Sequence, residues 1–591
     1  MSLDFRTINT VWASILVETL GRLGLTTAVI CPGSRSAPMA VAFARSEVVE
    51  SIPVLDERSA SFFALGLARR SHRPVALVCT SGTAGANMYP AVIEAHESRV
   101  PLIILTADRP PELRGCNAGQ AIDQQKLYGS FPNWYTELAT PSLDVNMLDY
   151  LRQMMVYAWE RSRAPVPGPV HLNIPFRDPL APISQLDAQA LESRLNSQSF
   201  FSHLSVASDS IPYSSALIPS MLFQIWQQHS NGLIIAGPAQ PQFPKPYCEA
   251  IARLSKMLGF PVLAEGLSPL RNYASLNPYL ISTYDLMLRN PRLADELTPE
   301  IVIRIGEMPT SKILRDWLTA TQPQQWIVDE SDRNLDPLHG LTHHLRISVE
   351  SLAPQLEISP AMSPSIYLKN WCKTEAIIRQ LLDQAFADID DLFEGKVAWM
   401  LSQILPKNTP LFISNSTPVR DVEWFWKPND LGIQPFFNRG ANGIDGTLSS
   451  ALGISYRHRP TVLLTGDLAL LHDTNGFLLK QQFVGQLTIV LVNNNGGGIF
   501  ELLPISQFDP PFEDYFATPQ SINFHHVCQT YKVEYIQIHT WSNLIDALTS
   551  PSNQRVRVLE VPTNRQTDPL KRQSLFQMIS QDPSLAPTPT D

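Results

Sequence analysis

Short apolar runs that alternate with amphipathic stretches constrain this chain more than any other feature. From Thr27 the sequence reads "TAVICP", "APMAVAFARS", "SIPVLD", "ERSASFFALGLARRS", "VALVCT", "AGANMYPAVIEAHES" and "VPLIILTA". The apolar runs are too short for helices, and the stretches between them have helical periodicity. The segment therefore predicts strand–helix–strand units around a mostly parallel sheet. Turn residues follow the strands: "PGSRS" after the first, "TSGTAG" after the third and "DRPPE" after the fourth. In open α/β sheets ligands bind at those carboxyl ends.

The rhythm lapses between Asp187 and Ser210, where "SRLNSQSFFSHLSVASDS" reads as a linker. It resumes with "GLIIAG", "FPVLAEG", "EIVIRIG" and "QQWIVD", and stops again at the proline-marked "APQLEISPAMSPS". From about Ile366 it returns with the strands "LFISNS", "TVLLTG", "LTIVLVNNN" and "RVRVLEV", with helices expected at "GTLSSALGISYR" and "DTNGFLLKQQFV". The expectation is an α/β chain of three domains, residues 1–190, 210–355 and 366–580, each a mostly parallel sheet flanked by helices. The middle one has "GPAQPQ" after its first strand and no GxGxxG, so no dinucleotide is expected there.

Composition narrows the function class. A net charge of −10 disfavours a general nucleic-acid surface, so positive charge for an anionic ligand must be gathered locally. Six cysteines without a CxxC pair point to buried thiols in a reducing compartment rather than to zinc or disulfides. "MSLDFRTINT" has no signal-peptide layout and no run is long enough to span a bilayer, so a cytoplasmic protein without a membrane partner is expected.

The chemistry concentrates in "TGDLALLHDTNGFLLKQQFVGQLTIVLVNNNGGGIF". Asp467 follows one apolar strand and Asn494 ends the next. A single crossover returns a parallel strand beside its start, so the Asp467 carboxylate and the Asn494 amide are expected at one sheet edge. With a freed glycine carbonyl they form a hard oxygen set suited to Mg²⁺, whose other positions would go to water and a phosphate. Further upstream, "VLDERSASFFALGLAR" puts Glu57 where a strand ends and a helix begins, a place where the helix dipole alone favours an acid.

Together these motifs resemble the thiamine-diphosphate enzyme family, through its Gly-Asp…Asn-Asn signature and its Glu-Arg-x-Ala context. The resemblance implies a fold of pyrimidine, middle and pyrophosphate domains, with thiamine diphosphate and Mg²⁺, or Mn²⁺ in its place, as cofactors. It implies that Asp467, Asn494 and the Gly496 carbonyl bind the metal, with Gly466, Leu468, Gly497 and Ile499 around the cofactor. Ile444 would be the apolar wedge that forces the cofactor's V shape. Glu57 would hydrogen-bond N1′ of the pyrimidine and favour the imino tautomer, whose 4′-nitrogen removes the C2 proton. Leu468 stands where many members have glycine, which narrows the subfamily. The family's two cofactor-binding domains come from different subunits, which implies a homodimer or a dimer of dimers with active sites at the subunit interface.

Arginines gather in the loops "PGSRSAP", "TADRPPEL", "SNSTPVRD" and "NRGANGIDG". Their planar fork suits carboxylates, so a substrate with more than one carboxylate is favoured. With "NAGQAIDQ" and "NNNGGGIFELLP", the set resembles a transferase branch of the family acting in menaquinone and phylloquinone biosynthesis. That branch decarboxylates 2-oxoglutarate and adds the succinyl carbanion to isochorismate by 1,4-addition. The resemblance implies a substrate pocket of Ser34, Arg35, Arg109, Gln120, Ser416, Arg420 and Arg439, with Lys312 from the middle domain and an apolar wall of Ile499, Phe500 and Leu503. The alternatives are an acetolactate-synthase-like carboligase and a non-catalytic homologue. "RGCNAGQAIDQ" lacks the His-His pair of simple 2-oxoacid decarboxylases, which favours trapping by a second substrate over release of an aldehyde.

Overall fold

The computed structural model of the chain describes residues 3–204, 220–355, 364–550 and 552–585. The chain divides into two compact units. One is Met1–Pro212 with Asn438–His458 and His472–Gly485; the other is Tyr213–Phe437 with Arg459–Leu471 and Gln486–Asp591.

The first unit contains strands β1 (Thr27–Ile30), β2 (Glu50–Pro53), β3 (Val75–Cys79), β4 (Leu102–Asp108), β5 (Trp134–Glu137) and β6 (Pro169–Pro175). They form one parallel sheet in the order β2-β1-β3-β4-β6-β5. Alternate residues of the central strands (Ala76 and Val78, Ile103 and Leu105, Val170 and Leu172) enter one core with Trp12, Leu16 and Met155 of two long helices, as the period of two requires. The helix Glu57–Ser71 has the extent its sequence predicts. Asp56 caps it by accepting from the Ser59 amide at 2.9 Å, a contact worth about 1 kcal/mol. His72, at φ 53°, ends it in the left-handed region. Its Gly66 allows the helix Thr447–Ser455 to approach closely, since a Cβ there would lie 2.2 Å from the Ser450 carbonyl oxygen.

The second unit holds two sheets. Strands β7 (Gly232–Ala236), β8 (Val262–Ala264), β9 (Leu280–Ile281), β10 (Ile301–Ile305), β11 (Gln324–Val328) and β12 (Leu341–Leu345) lie in the order β12-β11-β10-β7-β8-β9. Strands β13 (Pro410–Ile413), β14 (Gln434–Phe436), β15 (Thr461–Gly466), β16 (Leu487–Asn493), β17 (Glu534–Gln537) and β18 (Val556–Pro562) lie in the order β14-β13-β15-β16-β18-β17. This last order repeats that of the first unit strand for strand. A buried polar knot joins the end of β8 to the helix Thr417–Phe425. In it Arg271 donates to Glu423 at 3.2 Å and to three main-chain carbonyls, and Tyr284 and the Gly266 amide also donate to Glu423.

Three expectations need correction. "AGANMYPAVIEAHES" forms two helices, Thr83–Asn87 and Tyr89–Glu97, because Pro90 has no amide to continue the first. "DTNGFLLKQQFV" is 3₁₀ over Thr474–Gln481: the buried Asp473 carboxylate takes the Ser449 amide at 2.7 Å, and Gly476 packs where a Cβ would lie 2.8 Å from Ser449 Oγ. The first linker begins later than its composition suggests. Leu186–Glu192 and Ser197–Phe200 are helical, and Phe200 and Phe201 are buried beneath the Arg152 and Arg22 guanidinium groups. The remainder of that linker, residues 205–219, and residues 356–363 of the second lie outside the described residues. Four of the six cysteines are buried, Cys372 is half-buried and Cys116 is exposed. Among the described residues no helix is long and apolar enough to cross a membrane.

Candidate functional site

In the second unit β15 and β16 pair in parallel from Thr461↔Leu487 to Gly466↔Val492, so Asp467 and Asn494 leave the sheet at the same edge. Asp467 is 5% exposed and opens the short helix Asp467–His472. Burial pushes its carboxyl up to about 6, against the pull of hydrogen bonds from the Gly496 and Leu468 amides. The Gly496 N–H donates to Asp467 Oδ2 at 2.7 Å, which ties the two strand ends together.

The three asparagines do different work. Asn493 donates from Nδ2 to Glu560 of β18 at 2.7 Å and accepts the Asn495 amide at 3.1 Å. Asn495 sits at φ 60°, turning the chain. Asn494 is buried; its Nδ2 donates to Glu394 Oε1 at 2.5 Å, while its Oδ1 has no hydrogen-bond partner. The glycines answer to space. Gly496 lies at φ 137°, and a Cβ there would meet the Ala517 carbonyl oxygen at 2.4 Å; a Cβ on Gly498 would be 2.4 Å from Asn494 Nδ2. The Gly496 carbonyl is not wholly free, since it accepts the Gly498 amide at 2.9 Å. An oxygen with two lone pairs keeps one in reserve. Beside Asp467, the space a Gly466 Cβ would occupy is open.

Glu394 was not visible in the motif, because it opens the helix Glu394–Ile404, 100 positions from Asn494. Behind it the Arg572 guanidinium donates to Glu394 at 3.3 Å and to Asp421 at 2.8 Å, and Asp568 accepts the Glu394 amide at 3.1 Å. Burial raises the carboxyls of Asp421 and Asp568, the latter to about 6. Arg572 thus sits among three carboxylates, and a second buried arginine, Arg565, lies beside Gly496 and Gly498 and pairs with Glu501 and Glu513. Among the described residues no group of three His, Cys, Asp or Glu side chains is placed as a metal cage; the set at Asp467 is one carboxylate, one amide and one carbonyl.

In the first unit arginines join acids at the strand ends, with Arg35 3.7 Å from Asp178 and Arg114 paired to Asp108 and Glu137. Arg35 follows β1, is buried, and donates to the Phe176 carbonyl at 2.9 Å. Burial, and then the Arg109 guanidinium, lower its pKa. Arg109 follows β4 directly and donates to Ser81 Oγ at 3.1 Å and the Gly119 carbonyl at 2.7 Å. Gln120, at φ 56°, lies against Gly82. Gln124, the last residue of the "NAGQAIDQ" motif but given no role from sequence, is buried and holds this loop: it accepts the Gly82 amide at 2.8 Å and donates to Ala107 and Asn173. Ser34 is exposed on the first turn. Glu57 is half-buried at the start of its helix, and burial raises its carboxyl, with Asp56 adding to the effect. Arg439 and Ile444 are half-buried in the same unit; the Ile444 carbonyl accepts from Thr447 at 2.9 Å.

The remaining expected residues belong to the second unit. Ser416 sits at φ 74° after β13, and Arg420 donates to its carbonyl at 2.7 Å. Lys312 is exposed and opens the helix Lys312–Thr321. Ile499 and Phe500 are half-buried in the 3₁₀ turn Gly498–Leu502, and Leu503 is exposed.

Comparison with known proteins places the chain in a family. A family profile described as thiamine pyrophosphate enzyme, N-terminal TPP binding domain, matches residues 11–127, and one described as middle domain of thiamine pyrophosphate matches 209–413. Proteins named 2-succinyl-5-enolpyruvyl-6-hydroxy-3-cyclohexene-1-carboxylate synthase are similar over nearly the whole chain. That of Gloeothece citriformis is 59% identical, covering 96% of this chain and 98% of its own. That of Trichormus variabilis is 60% identical over 96% and 97%, and that of Acaryochloris marina 58% over 98% and 99%. Among solved structures, a putative thiamin diphosphate-dependent enzyme from Mycobacterium smegmatis shares the fold, with a TM-score of 0.67 at 17% identity over 94% of this chain and 99% of that one. Benzoylformate decarboxylase from Polynucleobacter necessarius does so with a TM-score of 0.67 at 16% identity over 94% and 98%.

Proposed function

The chain belongs to the thiamine-pyrophosphate enzyme family and, within it, to the 2-succinyl-5-enolpyruvyl-6-hydroxy-3-cyclohexene-1-carboxylate synthases, and from that premise we propose how its residues share the work. The reaction is decarboxylation of 2-oxoglutarate and 1,4-addition of the remaining succinyl unit to isochorismate. The observation that carries this reading is the near-complete span of the 58–60% identity.

The residues fit a divalent cation with a diphosphate. Asn494 Oδ1 is buried without a partner, and Asp467 is a buried carboxylate at the same sheet edge. Asp467, Asn494 and the Gly496 carbonyl would hold Mg²⁺, or Mn²⁺ in its place. Gly466, Leu468, Gly497 and Ile499 would border thiamine diphosphate, with Ile444 against its bend. When bound, the cofactor supplies the nucleophilic carbon and the electron sink for decarboxylation.

The protein's own groups do the rest. Glu57 holds a proton at its carboxyl, a task that suits an acid whose pKa burial has raised. Burial and the Arg109 charge both oppose the charge on Arg35, and an acidic substrate bound there would offset that repulsion, which favours a dicarboxylate. Ser34, Gln120, Lys312, Ser416, Arg420 and Arg439 complete the polar set that orients the substrates, while Phe500 and Leu503 exclude water from the reacting carbon. We take residues 1–190, 210–355 and 366–580 as the pyrimidine, middle and pyrophosphate domains of a cytoplasmic homodimer or dimer of dimers. Its active sites would lie at the subunit interface, with no nucleic-acid or membrane partner. The test is incubation with Mg²⁺, thiamine diphosphate and both substrates. Isochorismate absorbance falling only when 2-oxoglutarate is present supports the reading; consumption of pyruvate instead moves the acetolactate-synthase-like reading ahead.

A further inference from the structure

The Asn494 amide could face its site in either of two orientations, and only one presents an oxygen to a cation. We infer that Glu394 is a positioning residue that sets this orientation, held in turn by Arg572 and Asp568 of the helix Thr567–Ser580. The inference rests on the assignment of Asp467, Asn494 and Gly496 as the metal set.

The geometry leaves little freedom. Asn494 Nδ2 lies 2.5 Å from Glu394 Oε1. Turning the amide over would put its oxygen at that distance from a carboxylate oxygen, two acceptors with no proton between them. With Nδ2 committed to Glu394, Oδ1 is the free atom, and it is the buried atom that lacks a partner. Gly498 keeps the space beneath Nδ2 clear, since a Cβ there would lie 2.4 Å away. Glu394 is itself gripped twice from one helix face. Asp568 Oδ2 accepts its main-chain amide at 3.1 Å, and Arg572 Nη2 donates to its Oε2 at 3.3 Å. Arg572 is 1% exposed, donates to Asp421 at 2.8 Å, and lies over the Phe393 and Trp424 rings, 5.6 Å from each centroid. The chain of contacts runs from the C-terminal helix through one carboxylate to one amide. Partners of this kind behind a metal ligand change metal affinity by about 10–100-fold.

A reciprocal exchange separates orientation from mere packing. In Glu394→Gln, Arg572 still requires an acceptor, so the new side chain turns its oxygen toward Arg572 and its NH₂ toward Asn494. The Asn494 amide then flips and offers NH₂ to the cation. Adding Asn494→Asp reverses the fault: the aspartate accepts from Gln and keeps its second oxygen for the metal. Asn494→Asp alone sets two carboxylates face to face. Binding of Mn²⁺ to the full chain with thiamine diphosphate, read from free Mn²⁺ by electron paramagnetic resonance, gives the result without turnover. Asp467→Ala serves as the reference for loss of the site, and circular dichroism checks folding. The expected outcome is a loss of about 10–100-fold in Glu394→Gln, with the double variant binding more tightly than either single one. If Glu394→Gln does not fold, a folded double variant with near-native affinity supports the inference, and a double variant that is unfolded or fails to bind overturns it. Unchanged affinity in Glu394→Gln beside a loss in Asp467→Ala overturns the role of Glu394 alone. Unchanged affinity in both overturns the metal assignment beneath it.

Discussion

The sheet of β1 to β6 and the sheet of β13 to β18 have the same strand order, yet the residues just beyond their strands differ in charge. Arg109 comes directly after β4, and Asn494 directly after β16, which occupies the same place in its sheet. In each case the loop after that strand reaches back to its neighbour. Arg109 donates to Ser81 beyond β3, and the Gly496 amide donates to Asp467 beyond β15. Parallel topology supplies the convergent edge in both. On the proposed reading, the side chain placed there decides the charge of the ligand: guanidinium groups on one sheet for carboxylates, an acid and an amide oxygen on the other for a cation. The sheet of β7 to β12 has a different order, and among the described residues the loops after β7 and β10 carry no such set.

The division of labour can be broken by single changes. Glu57→Gln removes the carboxyl proposed to hold a proton and should lower turnover by roughly 10²–10⁴-fold with the fold intact. Steady-state kinetics with circular dichroism checks this, and Mn²⁺ affinity should not move. Asp467→Ala should lower Mn²⁺ affinity by at least ~100-fold, beyond what loss of a supporting partner costs; equilibrium binding in the presence of thiamine diphosphate reads it. Arg109→Ala should raise KM for an acidic substrate by about 10–100-fold, the scale of a charged hydrogen bond, and leave Mn²⁺ affinity alone. A fall in metal affinity in that variant would merge the two functions that the sheets are argued to separate.

The smallest effect concerns stability. Asp473 is buried and its carboxyl is pushed up to about 7, burial outweighing the hydrogen bonds from Ser449. Its folded value lies above the ordinary 3.8. The stability it contributes is therefore complete below about pH 4 and is lost as the pH rises toward 7. Asp473→Asn keeps both Ser449 contacts and removes the titration. Its thermal midpoint should fall less than that of the native chain between pH 5 and 7, by ~2–4 °C for each kcal/mol removed. Parallel slopes in the two proteins would refute the assignment.

Legibility in the sequence followed the range of the forces involved. The helix Glu57–Ser71 could be read to the residue because Asp56 and the chain turn at His72 are local signals. The Asp467 and Asn494 pair was readable because one crossover fixes its spacing. Strands β5, β9, β14 and β17 all lie at sheet edges and lack the fully buried apolar run that marks the equally short β8 and β13. The 3₁₀ run Thr474–Gln481 comes from Ser449 packing on Asp473, a contact no local pattern announces. Glu394 was silent for the same reason: its partner Asn494 lies 100 positions away, and nothing near it in the chain marks a role. Gln124 lies within a motif, but its hold on Gly82, 42 positions away, is not readable from the motif itself.

All of this turns on whether the edge of β15 and β16 holds a divalent cation for a diphosphate. Crystals grown with Mn²⁺ and thiamine diphosphate, measured at the manganese absorption edge, decide it. The expected result is an anomalous peak about 2.1 Å from Asp467, from Asn494 Oδ1 and from the Gly496 carbonyl. Cofactor bound with the peak elsewhere, or with Asn494 presenting Nδ2, would contradict the assignment.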